Sequence, residues 1–216
     1  MTVLKVLTYP HVLLKKKAAP VDKFTPGLKE FVGKMISTMN AFEGLGLAAP
    51  QVGISKRILI ADISMYAAAD NPDAYAWAST VVFKRAGKEE AACFPMTLIN
   101  PELMSASEEI EFPFDGCLSF PGGSGYSSRR FRKIHVIAKD VEGVEIEVET
   151  DGILAICLQH EIDHLDGILF VDRLLDPSEK DDVLSVVADH ESSSEHRKRL
   201  KRLKPQDARN SSWDFV

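Results

Sequence analysis

The sequence predicts an α+β fold: mixed, largely antiparallel strands packed around a central helix that carries the pentapeptide HExxH. Three stretches predict it. In "KIHVIAKDVEGVEIEVET", residues 133–150, valine and isoleucine alternate with polar residues on both sides of a Glu-Gly pair. That period of two is the mark of a β-hairpin with one face buried. "DGILAICLQHEIDHLDG", residues 151–167, has apolar residues on most sides of a helix, as a buried helix requires. "RILIADI", residues 57–63, is a short apolar run that reads as a buried strand.

The remaining elements follow in order. "FTPGLKEFVGKMISTMNAF", residues 24–42, has Thr25 as N-cap and Pro26 in the first turn. Leu28, Phe31, Val32, Met35, Ile36 and Met39 line one face at helical spacing. The helix should stop in "EGLGLAAPQVG", where Gly44 and Gly46 break the pattern. Residues 64–96 are alanine-rich with weak periodicity and read as a functional loop or an excursion, with "STVVF" as a possible short strand. "TLINPELM" and "EEIEFPF" predict further strands, and Gly167 is a natural helix stop. The chain divides into a main domain over 1–175 and a helical extension over 176–216, capped near Ser178, with a loose last dozen residues.

Composition narrows the function. The 216 residues are 45% hydrophobic and 27% charged, enough for one domain with its own core. No apolar run reaches the roughly 20 residues of a membrane-spanning helix. "MTVLKVLTYPHVLLKKK" is apolar first and basic after, the reverse of a secretory signal, so the expected location is the cytoplasm. Cys93, Cys117 and Cys157 are too few and odd in number for a disulfide framework. Six lysines and arginines and no acid fall in "HRKRLKRLK", residues 196–204, which leaves 20 basic residues against 32 acidic ones elsewhere. So acidic a body argues against nucleic-acid binding there. The basic tail reads as a solvated helix end or as a contact for the ribosome.

His160, Glu161 and His164 form the HExxH motif. Two histidines one helical turn apart can hold one metal ion, and a buried helix face is a costly place for them without a role. A catalytic site needs a third ligand. The spacing HExxHxxGxxH fails, because Phe170 occupies its last position. Glu179 lies 15 residues beyond His164 but sits at a helix start, where an acid has an ordinary explanation. Cys157 is seven residues from His164, about 10.5 Å along the helix, and reads as packing beside the site. Cys117, in the turn-like "FDGCLSFPGG", is the best third ligand.

Three motifs then stand in order: "GLGLAAPQ" at 44–51, "DGCLS" at 115–119 and "QHEIDHLDG" at 159–167. Together they resemble the signature motifs of peptide deformylases, and "YPHVLLKKKAAPV" and "ILFVDRL" are also similar to that family. The resemblance covers roughly residues 3–175 and is weakest over 64–96, which looks like an insertion. It implies a divalent metal held by Cys117, His160 and His164, Fe(II) natively, with Zn, Ni or Co able to replace it. It implies that Glu161 is the general acid–base and that Gln51 and the backbone N–H of Leu118 bind the developing oxyanion. Leu45 and Gly46 would line the groove that pairs with substrate backbone, and Ile156 and Cys157 a methionine pocket. The implied reaction is removal of the formyl group from N-formylmethionine of new proteins. One departure is Asp115, where the family usually has glutamate; Arg129 or Arg130 is its expected partner.

Overall fold

Two helices clasp one sheet, and a single strand shows why. The structure, a computed structural model, describes residues 2–64, 79–192 and 194–216, without the side chains of 191–197. Strand β2 (Ile58–Ala61) is buried at every position. Ile58 and Ile60 face the cluster built by α1 (Pro26–Ala41), whereas Leu59 and Ala61 face the HExxH helix α2 (Gly152–Asp166). A strand covered on both faces needs a continuous apolar run rather than an alternating one.

The main sheet has seven strands in the order β1-β2-β5-β8-β9-β3-β4. Its other members are β1 (Gly46–Ala48), β3 (Val81–Arg85), β4 (Lys88–Glu90), β5 (Met96–Ala106), β8 (Lys133–Lys139) and β9 (Glu145–Asp151). Strands β6 (Glu109–Gly116) and β7 (Ser124–Phe131) pair in a separate ribbon. All these strand pairs are antiparallel. Parallel pairing among the described residues is confined to the isolated bridges Leu4–Gln206 and Ala19–Lys56. The predicted hairpin is β8–β9, turning at Gly143 with φ 83°.

Helix α1 starts where the sequence predicts: the Thr25 hydroxyl accepts a bond from the N–H of Leu28 at 3.3 Å. Helix α2 is buried from Ile153 to Leu165 and ends at Gly167, whose φ of 75° lies in the left-handed region. The insertion expected over 64–96 falls partly on 65–78, outside the described residues; its later part supplies the edge ribbon β3–β4.

The C-terminal segment departs from expectation. Helices α3 (Glu179–Ser192) and α4 (Ser194–Leu203) are followed by a tail that packs rather than hangs loose. Phe215 and Ala208 are buried in the α1 cluster, and Trp213 meets Phe31 edge-on at 5.1 Å. Two large rings, each able to bury 150–250 Å², hold a segment whose composition is otherwise polar. Among the described residues, no helix is long and apolar enough to cross a membrane.

Candidate metal centre

Helix α2 packs against β1, β2 and β9, which fixes the face its two histidines present. His160 and His164 are 7% and 1% exposed, with ring centroids 5.0 Å apart. The third group comes from the end of β6. There Cys117 opens a turn closed by the Phe120 N–H donating to the Cys117 carbonyl at 2.9 Å. One ligand atom from each of Cys117, His160 and His164 lies within 4.8 Å of the others, and Cys117 Sγ is 3.1 Å from His164 Nε2. Ligands bound at 2.0–2.3 Å around one tetrahedral ion stand about 3.5 Å apart. One thiolate and two imidazoles converging at that spacing fit a divalent ion. A buried Glu161 Oε2 without a hydrogen-bond partner beside them adds an acceptor with nothing to accept.

The surrounding groups orient the ligands. His160 Nδ1 donates to Asp115 Oδ1 at 3.0 Å, which leaves Nε2 for a metal. Asp115 is held in turn by the Ser128 hydroxyl at 2.7 Å and by Arg130 Nη2 at 2.7 Å. Arg130 reaches Asp163, one residue before His164, and Arg173 grips the same carboxylate from outside. Arg130 rather than Arg129 is the partner because Ser128 and Arg130 share the buried face of β7 while Arg129 faces water. The sequence offered both arginines; strand parity decides between them.

Burial opposes the charge on Asp115, but His160, Arg130 and Ser128 outweigh it and hold its pKa far below the carboxylate range. Glu161 has weaker support, and burial pushes its pKa up to about 7. The Cys157 thiol is pushed well up by burial and by the Glu161 charge. A protonated Cys157, its Sγ 3.4 Å from the Leu45 carbonyl, is packing beside the site and not a ligand. Glu179 sits in the first turn of α3 and Cys93 is exposed; neither joins the cluster.

The other expected residues meet at one cavity of about 840 Å³. Gln51 Nε2 lies 3.5 Å from Cys117 Sγ and 3.3 Å from the Ser119 hydroxyl, while its Oε1 accepts from the Ala48 N–H at 2.7 Å. That last bond fixes which end of the amide faces the metal cluster. The turn after Cys117 uses the N–H of Phe120, and the Cys117 sulfur accepts that of Ser119 at 3.4 Å, so the turn does not use the Leu118 N–H. Leu45, Gly46, Leu118, Ile156 and Cys157 all line the cavity. Gly46 abuts Glu161 so closely that a Cβ there would lie 2.5 Å from Glu161 Oε1. Sequence reasoning missed Asp163, Arg173 and the cavity contacts of Phe114 and Arg199. A DH pair inside HExxH gave a local hint of Asp163; the others depend on tertiary placement.

Known proteins resemble this arrangement over most of the chain. The family model described as Polypeptide deformylase matches residues 3–180. A peptide deformylase of Thermodesulfovibrio yellowstonii is 39% identical over 176 residues, 81% of this chain and 90% of the relative. One of Wolinella succinogenes is 41% identical over 172 residues, 79% of this chain and 88% of the relative. The crystal structure of a peptide deformylase from Legionella pneumophila superposes with a TM-score of 0.70 at 34% identity, covering 94% of this chain and all of that one. The Ehrlichia chaffeensis peptide deformylase in complex with actinonin superposes at 0.72 with 32% identity, covering 89% and 100%.

Proposed function

The chain belongs to the peptide deformylase family, and from that membership we propose the roles of its individual residues. The activity is metal-dependent hydrolysis of the N-formyl group from N-formylmethionine of newly made proteins, with release of formate. Cys117, His160 and His164 would hold the ion, and the cluster of their donor atoms is the observation that carries this reading. A divalent ion bound there supplies Lewis acidity, polarising a carbonyl and activating water near neutral pH. We take it to be Fe(II), with Zn, Ni or Co as possible substitutes; one thiolate among two imidazoles suits a soft divalent metal.

Glu161 accepts the proton of the attacking water and later delivers it to the departing amine. Its buried, partnerless Oε2 and a pKa near 7 suit both transfers. The Gln51 amide and the Leu118 N–H donate to the negative charge that grows on the formyl oxygen. Strand β1 ends the main sheet, and an edge strand can pair with an extended peptide. Leu45 and Gly46 would therefore align the substrate backbone, with Ile156 and Cys157 against the methionine side chain.

Finer expectations join this proposal. The three free cysteines suit a reducing cytoplasm. Lys198, Lys201, Arg202 and Lys204 are exposed and would serve as a ribosomal RNA contact. Reversing the charge of Lys198, Lys201 and Arg202 should abolish salt-sensitive ribosome co-sedimentation; unchanged sedimentation would remove the contact. Residues 1–175 would form the catalytic domain and 176–216 its extension.

The central test is anaerobic turnover of formyl-Met-Ala-Ser with formate detection, for wild type and Glu161→Ala, with metal content read on the same samples. Formate release that the substitution abolishes while metal stays bound is expected. No formate from iron-loaded wild type overturns the assignment.

A further inference from the structure

The C-terminal extension forms part of the cavity wall. Helix α3 packs on the loop after Cys117, where Val183 and Val186 lie against Gly123 and Gly122. Helix α4 then crosses to the end of α1, where Arg199 meets Ala41 and Phe42. The extension therefore touches both the loop after Cys117 and the end of α1, and Arg199, Leu200 and Pro205 line the same cavity as Glu161.

Arg199 is held in place there but not satisfied. One Nη donates to the Ala41 carbonyl at 2.8 Å, and the guanidinium lies over the Phe42 ring at 5.1 Å. Its Nε is buried with no hydrogen-bond partner. The Glu43 carboxylate is 3.9 Å away on a side chain that is 85% exposed, a geometry worth little. A guanidinium stacked on Phe42 and anchored at Ala41 is preorganised to receive an oxygen ligand from the cavity that it lines.

Its position limits which oxygen. Phe42 is four residues from Gly46, so the two are at most about 14 Å apart at 3.3–3.6 Å per residue. A three-residue peptide lying extended along the groove from the metal ligands spans about 10 Å, within that limit.

We propose that Arg199 binds a main-chain oxygen of the third substrate residue, a carbonyl or a terminal carboxylate. The extension then sets how substrate length is read. This deepens the deformylase reading and rests on it. The rival is a purely structural tie, in which Arg199 only caps the last carbonyls of α1.

Calorimetric binding of reaction products to the metal-loaded full chain separates the two, using methioninamide, Met-Ala-Ser and Met-Ala-Ser-amide. Arg199→Gln should raise the Kd of Met-Ala-Ser about tenfold more than that of methioninamide, the size of a charge-assisted hydrogen bond. Arg199→Lys keeps the cation and guards against a folding defect; it should fall between wild type and Arg199→Gln. A loss confined to the free acid identifies the carboxylate as partner, and a loss shared by the amide identifies a carbonyl. Equal changes for all three ligands, or none, overturn the proposal. Formate release by wild type is scored separately, so failure of the activity reading is not mistaken for failure of this one.

Discussion

Asp115 and Arg130 form an ion pair sealed inside the protein, at 2.7 Å between Oδ2 and Nη2, with side chains 4% and 2% exposed. Asp115 Oδ1 meanwhile accepts a hydrogen bond from His160 Nδ1. One carboxylate thus ties a metal ligand to a buried cation.

Asp115→Asn should therefore act twice. Leaving Arg130 with one buried carboxylate fewer costs about 3–5 kcal/mol of stability, seen as a lower urea midpoint. Loss of the charge behind His160 weakens metal binding about 10–100-fold, read by competition with a chelator. Normal metal affinity in the variant would show that His160 is oriented by packing alone.

Gln51→Leu should lower kcat by about 10²–10³ with metal content unchanged, the usual effect of losing one oxyanion donor. Steady-state kinetics with metal analysis checks it. A rise in KM alone would assign Gln51 to ground-state binding.

Gly46→Ala tests the close approach of β1 to the helix. The added methyl would lie 2.5 Å from Glu161 Oε1 and 2.8 Å from Cys157 Sγ, so something must move. A shift near 1 Å at a reacting group costs about 10²-fold. Formate release should fall by that order while metal content is unchanged.

Phe215→Ala should cost about 3–5 kcal/mol, because the ring is 2% exposed and packs on Phe31 at 5.3 Å. A thermal melt reads it directly. Little change would return the tail to a loose end.

The legible parts of the chain were those whose signal is local. The β8–β9 hairpin and α2 carry periodicity within one window, and HExxH carries its own ligand spacing. Cys117 was reachable by eliminating Cys157 and Glu179. The β6–β7 ribbon was only half visible, because "SGYSSRRF" has small and polar residues where a strand usually shows aromatics and branched chains. Its two inward positions, Ser128 and Arg130, serve Asp115 instead of an apolar core. The tail was missed because Trp213 and Phe215 stand in a polar run with no period to read. Arg199 was counted in a basic run, and only tertiary placement separates it from the exposed cations around it.

The parallel bridge between Leu4 and Gln206, with bonds from Lys5 N–H to the Gln206 carbonyl and from Gln206 N–H to the Val3 carbonyl, joins segments about two hundred residues apart. Synthesis runs from the N-terminus at about 5–20 residues per second, so residues 3–5 wait ten seconds or more for their partner. The catalytic helix and its sheet emerge earlier. Until Trp213 and Phe215 follow, the α1 face lacks the two rings that cover it in the folded chain.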